Sequence, residues 1–314
     1  MPAGETVIDA ARYPNFFSFL DRLGALAPMQ RRTFDSRISE CDPGFWEDAE
    51  SFFTQLSSLF GRTGTTLDES VASYIGICKD ALQEQFKFVR TGRYSAATFS
   101  DAQSRTADYE SMTRYMLGLA VTQYLWPQHY ETLNFFRDFL GELPAGGRYL
   151  EIGPGHGLYL LEALRRVRAA SFGAVDISQA SIDIAKSLVS FLSAAGKDVD
   201  FHVEDIFKWT PRATFDVIIM GEVLEHVEDP ASLLQRAVSF LAPEGRLFIT
   251  TCANCPAIDH IYLFKSADEI RALIANAKCR VEREHVAECD VGMRHKDGTR
   301  IVTTQYAAVL RVAE

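Results

Sequence analysis

The sequence lacks the features that mark secreted and membrane-spanning proteins. Its six cysteines are too few and too scattered along 314 residues to form a disulfide framework. No uninterrupted apolar run approaches the roughly 18 residues that cross a bilayer. Residues 1–14 show neither the basic nor the apolar segment of a secretory signal. We therefore expect a soluble protein of the reducing cytoplasm, with no membrane as its partner.

Basic residues are also in deficit. The chain has 32 lysines and arginines against 42 aspartates and glutamates, so its formal net charge is -10 at pH 7. Proteins that bind nucleic-acid backbones or anionic membrane surfaces carry basic patches. The charge balance therefore disfavours nucleic acid as a partner and leaves small molecules, peptides and proteins.

Apolar and aromatic residues, in contrast, are abundant. Hydrophobic residues make up 47% of the chain and include 22 phenylalanines, which is enough for a large core. At about 150 residues per domain, the length favours two domains, or one large domain with a substantial extension. The hydrophobic pattern changes its period close to residue 145, which divides the chain into two parts.

Residues 1–145 are predicted to form an α-helical domain, because apolar residues recur there every three or four positions. Asp42 and Pro43 supply an N-cap and a first-turn proline for one helix. Thr66 begins the next helix, with acidic residues in its first turn. Further apolar stripes follow before the second domain begins.

Residues 146–314 alternate short apolar strands with segments of helix length. This alternation predicts parallel crossover connections and therefore a Rossmann-like, doubly wound α/β fold. The stretch between the last two strands is too short for a parallel crossover, so these strands should form an antiparallel hairpin at one edge. The seven predicted strands of this mostly parallel sheet are residues 148–153, 172–177, 199–203, 215–220, 246–251, 279–285 and 302–310.

A glycine-rich turn follows the first predicted strand. Residues 151–157 read Glu-Ile-Gly-Pro-Gly-His-Gly. Glycines permit a tight reversal and let a ligand approach bare backbone, and the helix that follows offers unpaired amides. Ligands of open parallel sheets bind at this edge. The spacing differs from the G-x-G-x-x-G of dinucleotide-binding folds, and the lysine of a P-loop is absent.

An acid-x-Gly-x-Gly-x-Gly turn that closes a first strand resembles that of the class I S-adenosylmethionine-dependent methyltransferases. The stretch 215-FDVIIMGEVLEHVEDP-230 resembles a run of the branch that includes ubiquinone-type and natural-product enzymes. The resemblance covers about residues 148–310 and implies S-adenosylmethionine as the cofactor.

The same resemblance assigns cofactor contacts along the second part of the chain. It places the ribose diol at Asp176, at the end of the second strand, and the adenine at Asp205 and Ile206. Glu222 lies at the amino-acid end of the cofactor, and Leu224 lines the cavity. The complete set of implied cofactor residues is Glu151, Gly153, Gly155, Gly157, Asp176, Ile177, Asp205, Ile206 and Glu222.

The activity implied is methyl transfer to oxygen, nitrogen or carbon of a small organic acceptor, as in secondary metabolism. Two alternatives stay open: a peptide or protein acceptor, and a relative that binds the cofactor without methylating. The fourth strand lacks the Asn/Asp-Pro-Pro-aromatic run that amino-methylating enzymes of nucleic acids place there.

The loop after the fifth strand, residues 252–266, is the best candidate for acceptor contacts. A base is needed only when the acceptor carries a proton that it will not release unaided. His260 is the candidate for this base or for an acceptor contact, since histidine takes a proton near neutrality. Anchoring of the loop is the alternative role of His260, and Tyr262 is a weaker catalytic candidate.

Other polar residues near the fourth and fifth strands are given structural roles. We expect His226 to be structural, and Glu225 and Glu228 to form a solvated helix face. Cys252 and Cys255 make a single C-x-x-C pair without a second pair at the spacing of a zinc site. The sequence therefore predicts no metal.

The segment just before the second domain, residues 109–136, is dense in Tyr, Met, Trp and His. In relatives such helices cap the cofactor and shape the acceptor pocket. Tyr115, Tyr124 and His129 are the candidate pocket residues, and packing in an aromatic core is the alternative. The apolar stripes of residues 1–145 also suggest an interface for a homodimer.

Overall fold

The computed structural model describes residues 9–38, 41–63, 66–105, 109–192, 198–289, 292–295 and 297–313. At residues 58–63, 105 and 190–192 it describes the backbone only. Residues 1–8 of the N-terminal segment and Lys296 in the turn before the last strand lie outside the described residues.

The first part of the chain is helical, as predicted. The Asp42 carboxylate accepts a hydrogen bond from the amide of Phe45 at 2.8 Å, and Thr66 and Glu69 form a reciprocal capping box. Both predicted helix starts are therefore confirmed. The helices are α1 (Pro14–Leu26), α2 (Pro28–Asp35), α3 (Pro43–Thr63), α4 (Leu67–Thr91), α5 (Phe99–Arg105), α6 (Tyr109–Leu125) and α7 (Pro127–Gly141).

The second part forms the predicted seven-stranded sheet. Its strands are β1 (Arg148–Ile152), β2 (Ser171–Asp176), β3 (Val199–Val203), β4 (Phe215–Gly221), β5 (Leu241–Ala253), β6 (Cys279–Cys289) and β7 (Thr303–Val312). The helices between them are α8 (Leu158–Arg166), α9 (Gln179–Leu192), α10 (Pro230–Val238) and α11 (Ala267–Asn276).

The strand order is β3-β2-β1-β4-β5-β7-β6, and β7 runs antiparallel to both neighbours. The Rossmann-like, mostly parallel sheet with an antiparallel edge hairpin is thus confirmed. The hairpin is longer than predicted, because its ladder continues from the Cys279–Val312 pair to the Cys289–Thr303 pair. Backbone pairing, which needs no apolar side chain, extends β6 beyond the apolar run that was visible in the sequence.

One hydrophobic core joins the N-terminal helices to the sheet. Phe136 and Phe139 of α7 pack against Phe248 of β5, with ring centroids 4.9 Å and 5.5 Å apart. The same cluster of buried residues continues through α1, α3 and α4. A second cluster fills the opposite face of the sheet, beneath α10 and α11. The helical part of the chain therefore covers one face of the sheet.

A buried ion cluster ties these helices to the sheet domain. Arg137 of α7 donates to Glu162 of α8, with Nε 2.9 Å from Oε2, and also to Asp48 of α3 and the hydroxyl of Tyr124. The side chains of Arg137 and Glu162 are only 9% and 4% exposed. Burial alone would raise the pKa of Glu162, but its bond to Arg137 holds the pKa below its ordinary value.

Among the described residues, no helix combines the length and the apolar character that crossing a membrane requires.

Candidate active site

The glycine-rich turn between β1 and α8 is built from three left-handed glycines. Gly153, Gly155 and Gly157 have φ of 69°, 51° and 80°, a region that side chains other than glycine rarely occupy. A Cβ at Gly153 would lie 2.8 Å from Val223 Cγ2, and one at Gly157 would lie 2.9 Å from the Cα of Ala185. The turn therefore packs directly on its neighbours through bare backbone.

Gly157→Ala is expected to destabilise the protein more than Gly146→Ala. Both glycines are left-handed, so alanine costs about 1–2 kcal/mol at either position. The backbone of Ala185 obstructs the new Cβ at Gly157, whereas nothing lies within 4 Å of its place at Gly146. Urea unfolding of the two variants measures the difference. Equal free energies of unfolding would mean that α9 moves aside freely.

Asp176 ends β2 directly beside this turn. Its carboxylate accepts hydrogen bonds from the amide of Ser178 at 2.8 Å and from the amide of Gly155. Burial raises its pKa to about 6, although these amides oppose the shift. Ser178 separately caps α9, since its hydroxyl accepts from the amide of Ser181 at 3.2 Å. Ser178, and not Asp176, therefore provides the N-cap of α9.

An apolar margin lies beyond Asp176. Ile177, Val203 and Phe207, at the carboxyl ends of β2 and β3, are 50%, 40% and 48% exposed. Asp205 accepts from the amide of Phe207 at 3.0 Å and lies 3.4 Å from the ammonium of Lys208. This combination of open apolar surface and a half-exposed carboxylate suits a flat, polar-edged ring.

Two of the predicted cofactor residues have partners inside the protein. The carboxyl of Glu151 is buried and accepts from the hydroxyl of Tyr149 at 2.8 Å, and burial raises its pKa to about 8. Ile206 is packed against the second core, and its carbonyl oxygen accepts from Arg236 Nε at 3.2 Å. The carboxyl of Glu151 is thus bonded to a side chain of its own strand, β1.

Two carboxyl groups, the half-buried Glu222 and the buried Glu225, occupy the segment after β4. Glu222 has a left-handed φ of 52°, and its Oε1 accepts from Gln305 Nε2 at 2.6 Å. Glu225 accepts from the hydroxyl of Thr251 at 2.7 Å. Burial, then the neighbouring carboxylate of Glu225, raises the pKa of Glu222 far above its ordinary value, and burial raises that of Glu225 to about 7.

The predicted solvated face at this segment is wrong for Glu225. Its side chain is fully buried, because the chain forms a short 3-10 turn, Leu224–His226, instead of a surface helix. Leu224 is also fully buried and belongs to the second core. Glu228 is exposed, as predicted, and its carboxylate accepts from the amide of Phe99 at 2.7 Å.

Two histidines meet beside these carboxyl groups. The rings of His226 and His260 lie edge to face, with centroids 4.9 Å apart. His260 is 8% exposed, and its Nδ1 lies 2.6 Å from the carbonyl oxygen of Cys255. Burial lowers the pKa of His260 to about 4, so the ring is neutral at physiological pH and holds a free nitrogen lone pair.

The N-terminal helices complete this wall of the site. The hydroxyl of Tyr115 in α6 donates to Asp259 at 2.9 Å, beside His260 in sequence. Tyr94, which the sequence interpretation did not select, accepts from the amide of Cys255 at 2.9 Å, and its ring lies against His260. The sequence signal for Tyr94 was only its place in a joint between helices.

The remaining candidates have other neighbours. Tyr124 is buried in the helical core, where its ring stacks on Phe52 with centroids 4.8 Å apart. His129 lies 2.8 Å from the hydroxyl of Thr122 through Nδ1. Tyr262 packs on Phe264 with centroids 4.7 Å apart. The structure thus brings Tyr115 and His260 together and leaves Tyr124 among the packed helices.

Comparisons with known proteins agree with this geometry. A family model described as a methyltransferase domain matches residues 127–289, just over half of the chain. The ubiquinone biosynthesis O-methyltransferase of Xanthomonas axonopodis pv. citri (strain 306) is 35% identical over 116 residues, which cover 36% of this chain and 46% of that protein. The protein of the same name from Neisseria meningitidis serogroup C (strain 053442) is 29% identical over 126 residues, 39% of this chain and 51% of that protein. The chain therefore spans about half the length of these curated relatives.

A solved structure shows the same fold. The Burkholderia thailandensis 1,6-didemethyltoxoflavin-N1-methyltransferase, crystallised with 1,6-didemethyltoxoflavin and S-adenosylhomocysteine, superposes with a TM-score of 0.50 at 16% identity. The superposition covers 70% of this chain and 92% of that chain.

Proposed function

Since the chain belongs to the methyltransferase-domain family, we propose that it transfers a methyl group from S-adenosylmethionine to a small organic acceptor. The observation that carries the proposal is the glycine-rich turn of three left-handed glycines with Asp176 beside it. The names of the similar proteins favour a small acceptor, since they describe O-methylation in ubiquinone biosynthesis and N1-methylation of 1,6-didemethyltoxoflavin.

The cofactor would lie across the carboxyl ends of β1, β2 and β3. Bare backbone at Gly153 and Gly155 admits the methionine and ribose part, and Asp176 accepts from the ribose diol. The exposed faces of Ile177 and Phe207 cover the adenine, with Asp205 near its amino group.

The reaction needs mainly orientation. The nucleophilic atom of the acceptor forms a bond to the methyl carbon while the bond from that carbon to the sulfonium sulfur breaks, which releases S-adenosylhomocysteine. The sulfonium is already electrophilic, so the protein has to hold the acceptor in line. A hydroxyl acceptor must also lose a proton, and His260 is the candidate to accept it or to contact the acceptor.

Residues 1–145 are proposed to act as the cap that shapes the acceptor pocket. Two contacts support this role: Tyr115 to Asp259, and Tyr94 to the loop that holds His260. The first contact joins α6 to the loop after β5, and the second joins the segment between α4 and α5 to the same loop. The acceptor would therefore lie between α6 and that loop, next to the methyl group.

A radiolabel assay tests the proposed function. The protein is incubated with S-adenosylmethionine labelled on the methyl group and with cell extract divided at a few kilodaltons. We expect label to appear in the small-molecule fraction. Label in the macromolecular fraction alone would indicate a peptide or protein acceptor instead. Tight cofactor retention without label in either fraction would favour a non-methylating relative.

Cofactor binding is expected to weaken as the pH falls below about 6. The pKa of Asp176 is about 6, so its carboxylate is ionised above that pH and able to accept both diol hydrogen bonds. Protonation removes one acceptor position, and affinity should fall by up to about tenfold per pH unit. Calorimetric titration between pH 5 and 8 measures the change. Asp176→Asn should bind the cofactor weakly, and its affinity should not change near pH 6. If the affinity of that variant still fell below pH 6, another group would be responsible for the pH dependence.

Assembly as a homodimer is a further part of the proposal. Leu82 and Phe86, one turn apart on α4, are 52% and 69% exposed, which is unusual for large apolar side chains. A second copy packed on this face would cover them. Light scattering at micromolar concentration should give the mass of a dimer, and a monomer mass would refute this part.

We place the protein in the cytoplasm. All six cysteines are free, including Cys252 and Cys255, which lie close enough to interact. Free thiols in this arrangement suit a reducing compartment.

A further inference from the structure

Three side chains that could hold a metal ion converge after β4 and β5. One donor atom each from Glu225, His226 and His260 lies within 4.8 Å of the others. Ligand atoms that share one ion through bonds of about 2.0–2.2 Å are roughly 3–4 Å apart. Small side-chain adjustments therefore bring these three donors to coordination distance.

Both histidines are oriented as metal-binding histidines usually are. Nδ1 of His226 lies 3.0 Å from the carbonyl oxygen of Asp259, and Nδ1 of His260 lies 2.6 Å from that of Cys255. A carbonyl oxygen only accepts, so each Nδ1 carries the hydrogen and each Nε2 keeps its lone pair. Histidine ligands of metals typically donate their other ring nitrogen to a backbone carbonyl in this way.

The carboxyl group of Glu225 lies next to a second acid. Glu225 is fully buried, and its Oε1 receives no hydrogen bond from an amide, a hydroxyl or a charged nitrogen of the described residues. The carboxyl of Glu222 lies within the same 4.8 Å spacing of Glu225, and the two acids share a hydrogen bond. Such a pair is unfavourable unless one acid keeps its proton, and a cation at this point would take the place of that proton.

An outer layer of contacts supports the arrangement. The carboxylate of Asp259 lies 3.7 Å from Nδ1 of His226. The hydroxyl of Tyr115 donates to the same carboxylate at 2.9 Å. The backbone carbonyl of Asp259 is the hydrogen-bond partner of Nδ1 of His226, and a partner of this kind fixes the orientation of a ligand histidine. Through Asp259, the helical part of the chain therefore positions His226.

We propose that Glu225, His226 and His260 form a binding site for a divalent transition-metal ion beside the methyl-transfer crevice. Two imidazoles and one carboxylate suit zinc and similar ions. The prediction of no metal considered spacing along the chain only. Cys252 and Cys255 also lie near His260, but Sγ of Cys252 is 3.8 Å from its Nδ1, and this nitrogen donates to the carbonyl of Cys255.

The position of the site gives the ion a role that rests on the proposed function. Three protein ligands leave coordination positions open to water or to an acceptor. A hydroxyl bound to a divalent cation would release its proton to water more readily, and its oxygen would then attack the methyl carbon. A hydroxyl-bearing acceptor is therefore the class that this site would activate, with His260 contacting it through the ion.

Titration of the full-length, chelator-treated protein with Zn²⁺ tests the site. We expect one ion per chain, and a loss of affinity on the order of 100-fold or more in each of Glu225→Gln, His226→Ala and His260→Ala. His202→Ala on β3 is the matched control and should bind as the wild type does. Far-UV circular dichroism checks that each variant is folded. With Co²⁺ in place of Zn²⁺, visible d–d bands should appear without a thiolate charge-transfer band.

Three results would overturn the site. The first is that the wild type binds no stoichiometric Zn²⁺, and the second is that the folded variants bind Zn²⁺ as tightly as the wild type. The third is a thiolate charge-transfer band together with metal binding that is lost in Cys255→Ser but kept in Glu225→Gln. The last result would assign the ion to the two cysteines and His260. Titration of the metal-free protein with S-adenosylhomocysteine separates the two proposals. Cofactor binding without Zn²⁺ binding rejects the metal site alone, and the absence of cofactor binding rejects the proposed function.

Discussion

Replacing Asp176 by alanine is expected to weaken S-adenosylmethionine binding on the order of 100-fold or more. Asp176 ends β2 next to the glycine-rich turn, and the amides of Gly155 and Ser178 hold its carboxylate there. Hydrogen bonds to a charged group contribute about 1.5–3 kcal/mol each. Two bonds from the ribose diol would therefore account for at least about 3 kcal/mol, which corresponds to this loss of affinity.

Asp205→Asn is the matched comparison for this variant. Asp205 is partly exposed and already paired with Lys208 at 3.4 Å, so its bond to the adenine amino group competes with solvent. We expect its loss to weaken binding by about tenfold or less. Thermal unfolding of both variants checks that the fold is intact. If Asp176→Ala bound the cofactor as tightly as Asp205→Asn, the ribose would not lie at Asp176.

Replacing Arg137 by methionine is expected to reduce the free energy of unfolding by about 3–5 kcal/mol. The substitution leaves the buried Glu162 with two partly exposed partners, Arg166 at 2.9 Å and Arg165 at 3.8 Å. It also removes the contacts of Arg137 to α3 and to Tyr124. A buried carboxylate that loses its buried partner is strongly destabilising, whereas methionine preserves much of the packing.

Arg165→Ala is the control for the ion cluster. Arg165 is 36% exposed and lies 3.8 Å from Glu162, so its loss should change stability by less than about 1 kcal/mol. The double variant Arg137→Met, Glu162→Leu should recover most of the lost stability, since neither charge is then left buried. Urea unfolding measures all three. Equal stabilities of Arg137→Met and Arg165→Ala would show that the cluster is not what joins the helices to the sheet domain.

Features set by local sequence were predictable. The caps at Asp42 and Thr66 depend on residues within one turn, and the β–α alternation fixes parallel crossovers whatever the distant contacts are. The glycine-rich turn and Asp176 were predictable for the same reason, because the chain connections alone bring them to one edge of the sheet. The fold and its crevice could therefore be read from the sequence.

Features set by distant contacts were not predictable. Glu225 was expected to be solvated because acids in a helical run usually are, yet Thr251 of the adjacent strand covers it. Tyr94 reaches Cys255 across 161 residues, which no spacing rule reveals. His226 and His260 meet only because the loop after β5 folds back over the turn after β4. The chemistry beside the crevice is thus a property of the tertiary structure.

Isothermal titration with S-adenosylhomocysteine measures most directly whether this crevice holds the cofactor. We expect the wild-type protein to bind one molecule per chain, and Asp176→Ala to bind far more weakly under the same conditions. No heat of binding by folded wild-type protein would contradict the assignment of the glycine-rich turn and Asp176 to S-adenosylmethionine, and with it the proposed methyl transfer.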